Sequence, residues 1–147
     1  MKRAEIAVTV TDWVQAEALV LPVRTEVFVL EQGVPMEIER DELDPVCRHA
    51  IARAPGCGAI GTGRLLPDGH IGRMAVLRTA RGAGVGGVVL QALIGEAVRL
   101  GMSELALSAQ IHALGFYLRH GFEPCGEVFI EAGIAHRAMR RTLGGVR

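Results

Sequence analysis

Gly82, Gly84, Gly86 and Gly87 crowd the ten-residue stretch RTARGAGVGG, Arg78 to Gly87, between a strand-like run, IGRMAVL, and an apolar helical run, VVLQALIGEAVRLG. Glycines at this spacing let a backbone come close to a phosphate. The helix behind them offers unpaired N–H donors and the positive end of its dipole. Gly82, Gly84 and Gly87 satisfy G-x-G-x-x-G, but that dinucleotide fingerprint opens a first strand–helix–strand unit and needs an acidic residue at the end of the next strand. Here the loop falls mid-chain, after strands that read as antiparallel, and the next strand starts at Glu104 and ends at Gln110. A nucleoside-triphosphate loop needs Gly-Lys-Ser/Thr, and Gly86–Gly87–Val88 supplies neither lysine nor hydroxyl. Arg81–Gly82–Ala83–Gly84–Val85–Gly86 leaves a third reading, a glycine cradle in which backbone N–H groups meet a phosphate-type anion. In it a Cβ at Gly82, Gly84 or Gly86 is expected to obstruct the anion, and Arg81 adds a positive charge at the entrance. A bare tight turn needs only one or two glycines, so the cluster favours the cradle.

The elements around this loop read as one α/β domain spanning residues 1–147. Glu5–Val10 reads as a first strand, and Asp12 as the cap of a helix from Trp13 to about Gln32, broken near Pro22, with Val23, Val27, Phe28 and Leu30 on its apolar side. Gly33–Val46 is an acidic loop with prolines near both ends. CRHAIARA and AIGTGRLLP form a hairpin around Pro55–Gly58, and GHIGRMAVL follows the turn at Pro67–Asp68–Gly69. After the glycine loop come a helix from Val85 to Leu100 closed by Gly101, the short buried strand ELALSAQ, the helix IHALGFYLRH closed by Gly121, and a final strand pair, GEVFIEAGI and AHRAMRRTL. The order is β-α-β-β-β-α-β-α-β-β.

Hydrophobic residues make up 50% of the chain and the formal net charge is zero, so it buries a real core and carries no bulk field for nucleic acid or membrane. The segment MKRAEIAVTVTDW lacks the apolar core of a signal peptide, and no run approaches the roughly 20 residues of a membrane span. Cys47, Cys57 and Cys125 form no C-x-x-C pair. The expectation is a cytoplasmic protein with reduced thiols and no metal site.

The glycine loop resembles the pyrophosphate loop of the GCN5-related N-acetyltransferase (GNAT) superfamily, and the likeness runs well beyond it. SAQIHALGFYLRHGF, Ser108–Phe122, is similar to the family segment that ends in a tyrosine and then Gly-Phe. RTEVFVLEQGVPMEIERDELDPVCRHAIA is similar to the R-x-x-V-F-x-x-E-Q…E-x-D…D…H pattern of the ElaA/YjcF-type subgroup, as are GRLLPDGHIGRMAV and GIAHRAM. Together these stretches reach from Arg24 to Met139. Met36 departs from the subgroup, which often carries an aromatic residue there. A more distant likeness, in an R…F…D pattern, is to the acyl-homoserine-lactone synthases, whose chains are longer.

The resemblance implies a single-domain GNAT fold, a mixed and mostly antiparallel sheet with splayed central strands and flanking helices. It implies an acyl-CoA-dependent N-acyltransferase that moves the acetyl group of acetyl-CoA to the amine of a small molecule or peptide by direct attack. Nucleic acid and membrane are not expected partners, and a homodimer is an assembly it allows. The strands GRMAVL and ELALSA would splay around the donor. Backbone groups of Met74, Ala75 and Val76 would pair with the pantetheine arm. Arg81, Gly82, Ala83, Gly84, Val85, Gly86 and Gly87 would hold the pyrophosphate, with Gln110 where many relatives place an asparagine. Tyr117, the only tyrosine, would protonate the departing thiolate, as a phenol of pKa about 10 can do for a thiol of pKa about 8.5 when held in place. The plainer reading is a core aromatic. Alkyl amines are mostly protonated at pH 7, so a base is needed, and Glu31, Glu39, Asp41, Asp44, His49, His136 and a water chain all stay open for that role. Phe28 belongs to the same acceptor side. Arg24, Arg64 and Arg73 either bind an acceptor carboxylate or pair with the acidic loop. Two other functions fit the same residues: a CoA-binding sensor without catalysis, and an acyltransferase like the homoserine-lactone synthases.

Overall fold

The structure, a computed structural model, describes residues 2–39 and 41–144. Met1, Arg40 and residues 145–147 lie outside the described residues. The seven strands are β1 (Ala7–Thr11), β2 (Arg48–Arg53), β3 (Ala59–Leu65), β4 (His70–Val76), β5 (Glu104–Gln110), β6 (Glu123–Glu131) and β7 (Ile134–Thr142). They form one sheet in the order β1-β2-β3-β4-β5-β7-β6. Among the described residues four α-helices accompany it: α1 (Trp13–Arg24), α2 (Met36–Glu39), α3 (Val85–Arg99) and α4 (Leu114–Arg119). The expected α/β order holds, with α2 added inside the acidic stretch. Among the described residues no helix is long and apolar enough to cross a membrane.

Alternation along β2 shows how the two faces of the sheet are covered. Ala50 and Ala52 join the large core under α3, with Val89, Leu90, Leu93, Leu105, Phe122 and Met139, while Ile51 faces the other way onto Ala16 and Val20 of α1. Such a strand is buried on both faces and reads as a continuous apolar run. Gly63 lets α3 lie close to β3: a Cβ there would meet Met74 Sδ at 2.5 Å and Leu93 Cδ1 at 3.0 Å.

Asp12 caps α1, its Oδ1 accepting the Gln15 N–H at 3.0 Å. The expected break at Pro22 is displaced. Pro22 lies inside α1, and the chain widens into a π-helical segment only at Thr25–Glu31, where the Gln32 N–H reaches the Val27 carbonyl at 3.0 Å. A proline removes one N–H and crowds the carbonyl four residues back, and the ladder resumes a turn later with wider spacing. Two other expectations shift. The expected buried strand β5 alternates, with Leu105, Leu107 and Ala109 in the core and Ser108 exposed on the other face. The helix after it opens as a 3-10 turn at Ile111–Ala113 before α4.

The sheet is antiparallel except between β4 and β5. These run parallel and pair only at His70↔Ala106 and Ile71↔Leu107. Beyond Ile71 the strands separate. The divergence coincides with a bulge in β4, where Arg64 faces Gly72 and Thr62 faces Ala75, so the register slips by one residue. Arg73, within the bulge, has φ 51°, in the left-handed region that a side chain disfavours.

Candidate active site

The separating strands open a cleft of about 1110 Å³. One end of it is backbone. From Gly72 to Val76, β4 keeps β3 on one edge and has no β5 partner on the other. The strand then leads through a 3-10 turn, Arg78–Ala80, into the glycine loop and α3. Gly82 and Gly84 hold φ of 88° and 84°, a conformation glycine adopts without steric cost. Gly82 to Gly87 donate no backbone hydrogen bond among the described residues, and the first intrahelical donor is Val88, to Gly84 at 3.1 Å. The loop therefore carries N–H groups without a backbone partner at a helix N-terminus.

The glycines differ in what a side chain would meet. A Cβ on Gly82 meets no protein atom within 4 Å, and its backbone angle by itself disfavours a side chain. A Cβ on Gly86 would lie 3.5 Å from Phe116 Cζ, an ordinary contact. Arg81 is also not a bare charge. Its Nε donates to the Val76 carbonyl at 3.0 Å, and its two terminal nitrogens grip Glu31 in a bidentate pair at 2.7 Å each. Those hydrogen bonds hold the Glu31 carboxyl down to about 2. One residue further, Gln110 donates to Gln32 at 3.0 Å. Glu31 and Gln32, at the end of the π-helical segment, thus bridge to both lips of the splay. Gln32 escaped the sequence reading as a site residue, although it stands in the quoted E-Q pair.

Tyr117 and His136 line the same cleft, together with Phe28, Arg73, Met74, Ala75, Val76 and Gln110. Tyr117 is only 8% exposed, and burial pushes its phenol up to about 12. His136, from β7, sits opposite Gln110 in the sheet and stacks on Phe129. Its Nδ1 lies 2.7 Å from the Ile134 carbonyl. A carbonyl only accepts, so Nδ1 carries the hydrogen, and in the neutral form of the ring the lone pair is on Nε2.

The other end is backed by ions. Arg24 is 1% exposed, bonded to Glu39 through Nε and to both oxygens of Asp44 at 2.9 and 3.0 Å. Arg64 donates to Asp44 and to Asp41, both at 2.8 Å, and Arg73 reaches Asp41 at 2.9 Å and the Glu39 carbonyl at 3.2 Å. The Arg64 hydrogen bond is the main cause that holds Asp41 down to about 2. Three cations thus alternate with three anions. Glu39, Asp41, Arg64 and Arg73 reach the cleft wall, whereas Arg24, Asp44 and His49 stand behind it. His49 donates through Nε2 to the Asp44 carbonyl at 2.9 Å and packs on Trp13, and burial depresses its pKa. Within the acidic stretch Glu39 and Asp44 are buried, because the arginines of α1, β3 and β4 converge on them.

The model of the acetyltransferase (GNAT) domain matches residues 17–143. The chain is 42% identical over 123 residues to the N-acetyltransferase YjcF of Bacillus subtilis (strain 168), covering 81% of this chain and 87% of that protein. Among solved structures it is similar to an acyl-CoA N-acyltransferase from Pseudomonas aeruginosa, at 34% identity and a TM-score of 0.82, over 92% of this chain and 99% of that one. It is also similar to ElaA of Escherichia coli, at 28% identity and a TM-score of 0.81, over the same shares of 92% and 99%.

Proposed function

The chain belongs to the GNAT acetyltransferases, resembling their ElaA/YjcF-type members, and from that premise we propose that it transfers the acetyl group of acetyl-CoA to a primary amine by direct attack. The observation that carries this reading is the β4–β5 splay, which runs from a loop of free N–H groups to a cleft shared by Tyr117 and His136. The site fits acetyl-CoA on three counts. The open edge of β4 at Met74, Ala75 and Val76 offers strand-like hydrogen bonds to the pantetheine amides. The loop from Arg81 to Gly87 offers amide donors to the diphosphate. Gln110, at the far lip, offers an amide to the same arm.

The amine nitrogen attacks the thioester carbon, a C–N bond forms, and the C–S bond breaks. His136 takes the proton from the amine through the lone pair on Nε2. Tyr117 hydrogen-bonds the departing sulfur and supplies its proton. Burial keeps the phenol protonated throughout the working range, and it also makes Tyr117 a reluctant acid, so its contribution lies at the low end for general acid catalysis. Phe28, Arg73 and the ion network shape the acceptor end. Arg24, Asp44 and His49 act by holding that wall.

The test is thiol release from acetyl-CoA across a panel of small and peptide amines, with calorimetry for CoA binding. Amine-dependent release of CoA thiol is expected. CoA binding without release against any amine, above the rate of hydrolysis, would overturn the catalytic reading.

A further inference from the structure

Among the described residues, two that carry side chains have a left-handed backbone, Arg73 and Ala132. Ala132 precedes Gly133 in the two-residue turn that joins Glu131 to Ile134, and a hairpin turn of this kind needs a positive φ at both positions. Arg73 has no turn to account for it. It lies inside β4, in the bulge where Gly72 faces Arg64 and Ala75 faces Thr62. A bulge with a left-handed residue ordinarily has glycine there, because a side chain crowds the backbone. Gly72, the glycine next to it, is not left-handed. An arginine therefore occupies the strained position, and such a position persists only where its surroundings hold it.

The guanidinium supplies an anchor. Nη2 donates to Asp41 Oδ2 at 2.9 Å, and Nε donates to the Glu39 carbonyl at 3.2 Å. Asp41 is itself fixed from β3. Arg64 donates to both of its oxygens, at 2.8 and 3.0 Å, and the Leu43 N–H reaches it at 3.0 Å. Arg64 is the cross-strand partner of Gly72, so one carboxylate ties the two strands together across the bulge. The bulge in turn decides which way β4 faces. Ile71 and Met74, three residues apart, both pack in the core under α3, where regular alternation would place them on opposite faces. Past the bulge, Ala75 pairs with Thr62 and the Leu77 N–H donates to the Ile60 carbonyl at 2.9 Å. Backbone groups of a strand alternate between its two edges, so Met74 and Val76 turn theirs to the edge that β5 has left. The Val76 carbonyl is accordingly open to Arg81 Nε, which donates to it at 3.0 Å. Without the extra residue the phase reverses, and Ala75 takes that edge.

We propose that Arg73 is a positioning residue for the donor: through Asp41 and the Glu39 carbonyl it holds the left-handed bulge that turns Met74 and Val76 to the open edge, so the charged network at one end of the cleft sets the slot at the other. The inference rests on the donor reading above. Arg73→Ala removes the anchor and keeps the strain, whereas Arg73→Gly removes both. In calorimetry Arg73→Ala is expected to weaken CoA by about tenfold, and Arg73→Gly to stay within about threefold of wild type. Arg73→Lys falls between them. A side chain that only stabilises the fold predicts the opposite order, since glycine adds freedom to the unfolded chain. Asp41→Asn is expected to weaken CoA by about threefold in the wild-type background and to change nothing in Arg73→Gly, where no anchor is left to lose. Equal losses in Arg73→Ala and Arg73→Gly, or wild-type affinity in both, overturn the proposal. If Arg73→Ala does not fold, the Asp41→Asn comparison decides, and an equal loss in both backgrounds overturns it. Amide exchange reads the same point without CoA. The Ala75 N–H should be protected, and those of Met74 and Val76 should exchange fast, in wild type and Arg73→Gly, with that order lost in Arg73→Ala. A wild-type chain that keeps this pattern but binds no CoA overturns the donor reading and leaves the anchor standing.

Discussion

At one end of the cleft the chain presents backbone: the unpaired edge of β4 and the free N–H groups of the glycine loop, the end proposed for the donor. At the other end, proposed for the acceptor, it presents side chains, Glu39, Asp41, Arg64 and Arg73, backed by Arg24 and Asp44. Backbone groups keep their positions whatever side chains surround them, so a loop built this way needs only left-handed glycines and a helix start. Side chains in a balanced network hold one another, and removing one leaves a buried charge without its partner. The first construction tolerates substitution and the second does not.

The sharpest break of this contrast is Arg24→Ala. Removing one partner of a buried ion pair typically costs about 3–5 kcal/mol, and here Glu39 and Asp44 would both lose their main donor. For a chain of this length that lowers Tm by about 10 °C. Thermal denaturation unchanged by the substitution would show that the network is not the structural half of the site. Acid should act on the same contacts. The Arg64 hydrogen bond holds Asp41 near about 2, and the Arg24 and Arg64 hydrogen bonds overcome burial to hold Asp44 low as well. Their folded values lie below the ordinary carboxylate value. The stability they contribute is therefore complete above about pH 4 and is lost on acidification, for Asp41 as pH falls toward about 2. A denaturation series from pH 5 to pH 2 should show that loss, and Asp41→Asn should flatten part of it.

The contrast also explains what could be read beforehand. The strand order, the cap at Asp12, the closing glycines at Gly101 and Gly121 and the glycine loop all depend on local backbone preferences, which sequence carries directly. The splay was expected only through the family resemblance, because it coincides with the bulge at Arg73, and nothing in GHIGRMAV marks that residue for a positive φ. The fate of the acceptor residues was illegible for a different reason. Arg24, Glu39, Asp41, Asp44, Arg64 and Arg73 are spread over fifty residues, and which of them face the cleft depends on how α1, α2, β3 and β4 meet. Charged residues in a loop look alike in sequence whether solvated or buried.

Two substitutions separate the chemistry from both constructions. His136→Gln and Tyr117→Phe each keep the shape of the cleft. On the proposed mechanism each lowers kcat by about 10²-fold, about 2.7 kcal/mol in barrier, with CoA affinity held within twofold because neither residue belongs to the loop. Steady-state rates and calorimetry on the same preparations check this. A kcat within threefold of wild type for Tyr117→Phe would return that residue to the core.

The glycine loop offers a matched pair. Gly82→Ala has open space around its new Cβ but must hold a φ of 88°, at a cost of about 1–2 kcal/mol for a residue with a side chain. CoA binding should weaken by about tenfold as the loop relaxes away from its shape. Gly86→Ala lies in the first turn of α3, meets Phe116 at ordinary contact distance and gains helix propensity. Its CoA affinity should stay within twofold of wild type. If both variants bind equally well, backbone geometry is not what the loop contributes.

The smallest effect expected is at the Glu31–Arg81 pair at the lip of the splay, where the two constructions touch. Glu31 holds the Arg81 guanidinium with two hydrogen bonds at 2.7 Å, and Arg78 stands 3.4 Å from the same carboxylate. While that pair is closed, the nearest side-chain cation of the loop is committed to Glu31 rather than to a diphosphate. Glu31→Gln removes the negative charge and releases Arg81 without shortening the side chain. An exposed ion pair of this kind contributes about 0.2–1 kcal/mol, so CoA affinity should rise by at most about fivefold at low ionic strength. The gain should shrink in high salt, where exposed charges are screened. Calorimetry at two salt concentrations measures both. A fall in affinity would mean that Glu31 holds Arg81 and the Val76 carbonyl in the shape the loop needs, which would make this corner of the donor end, too, a side-chain construction.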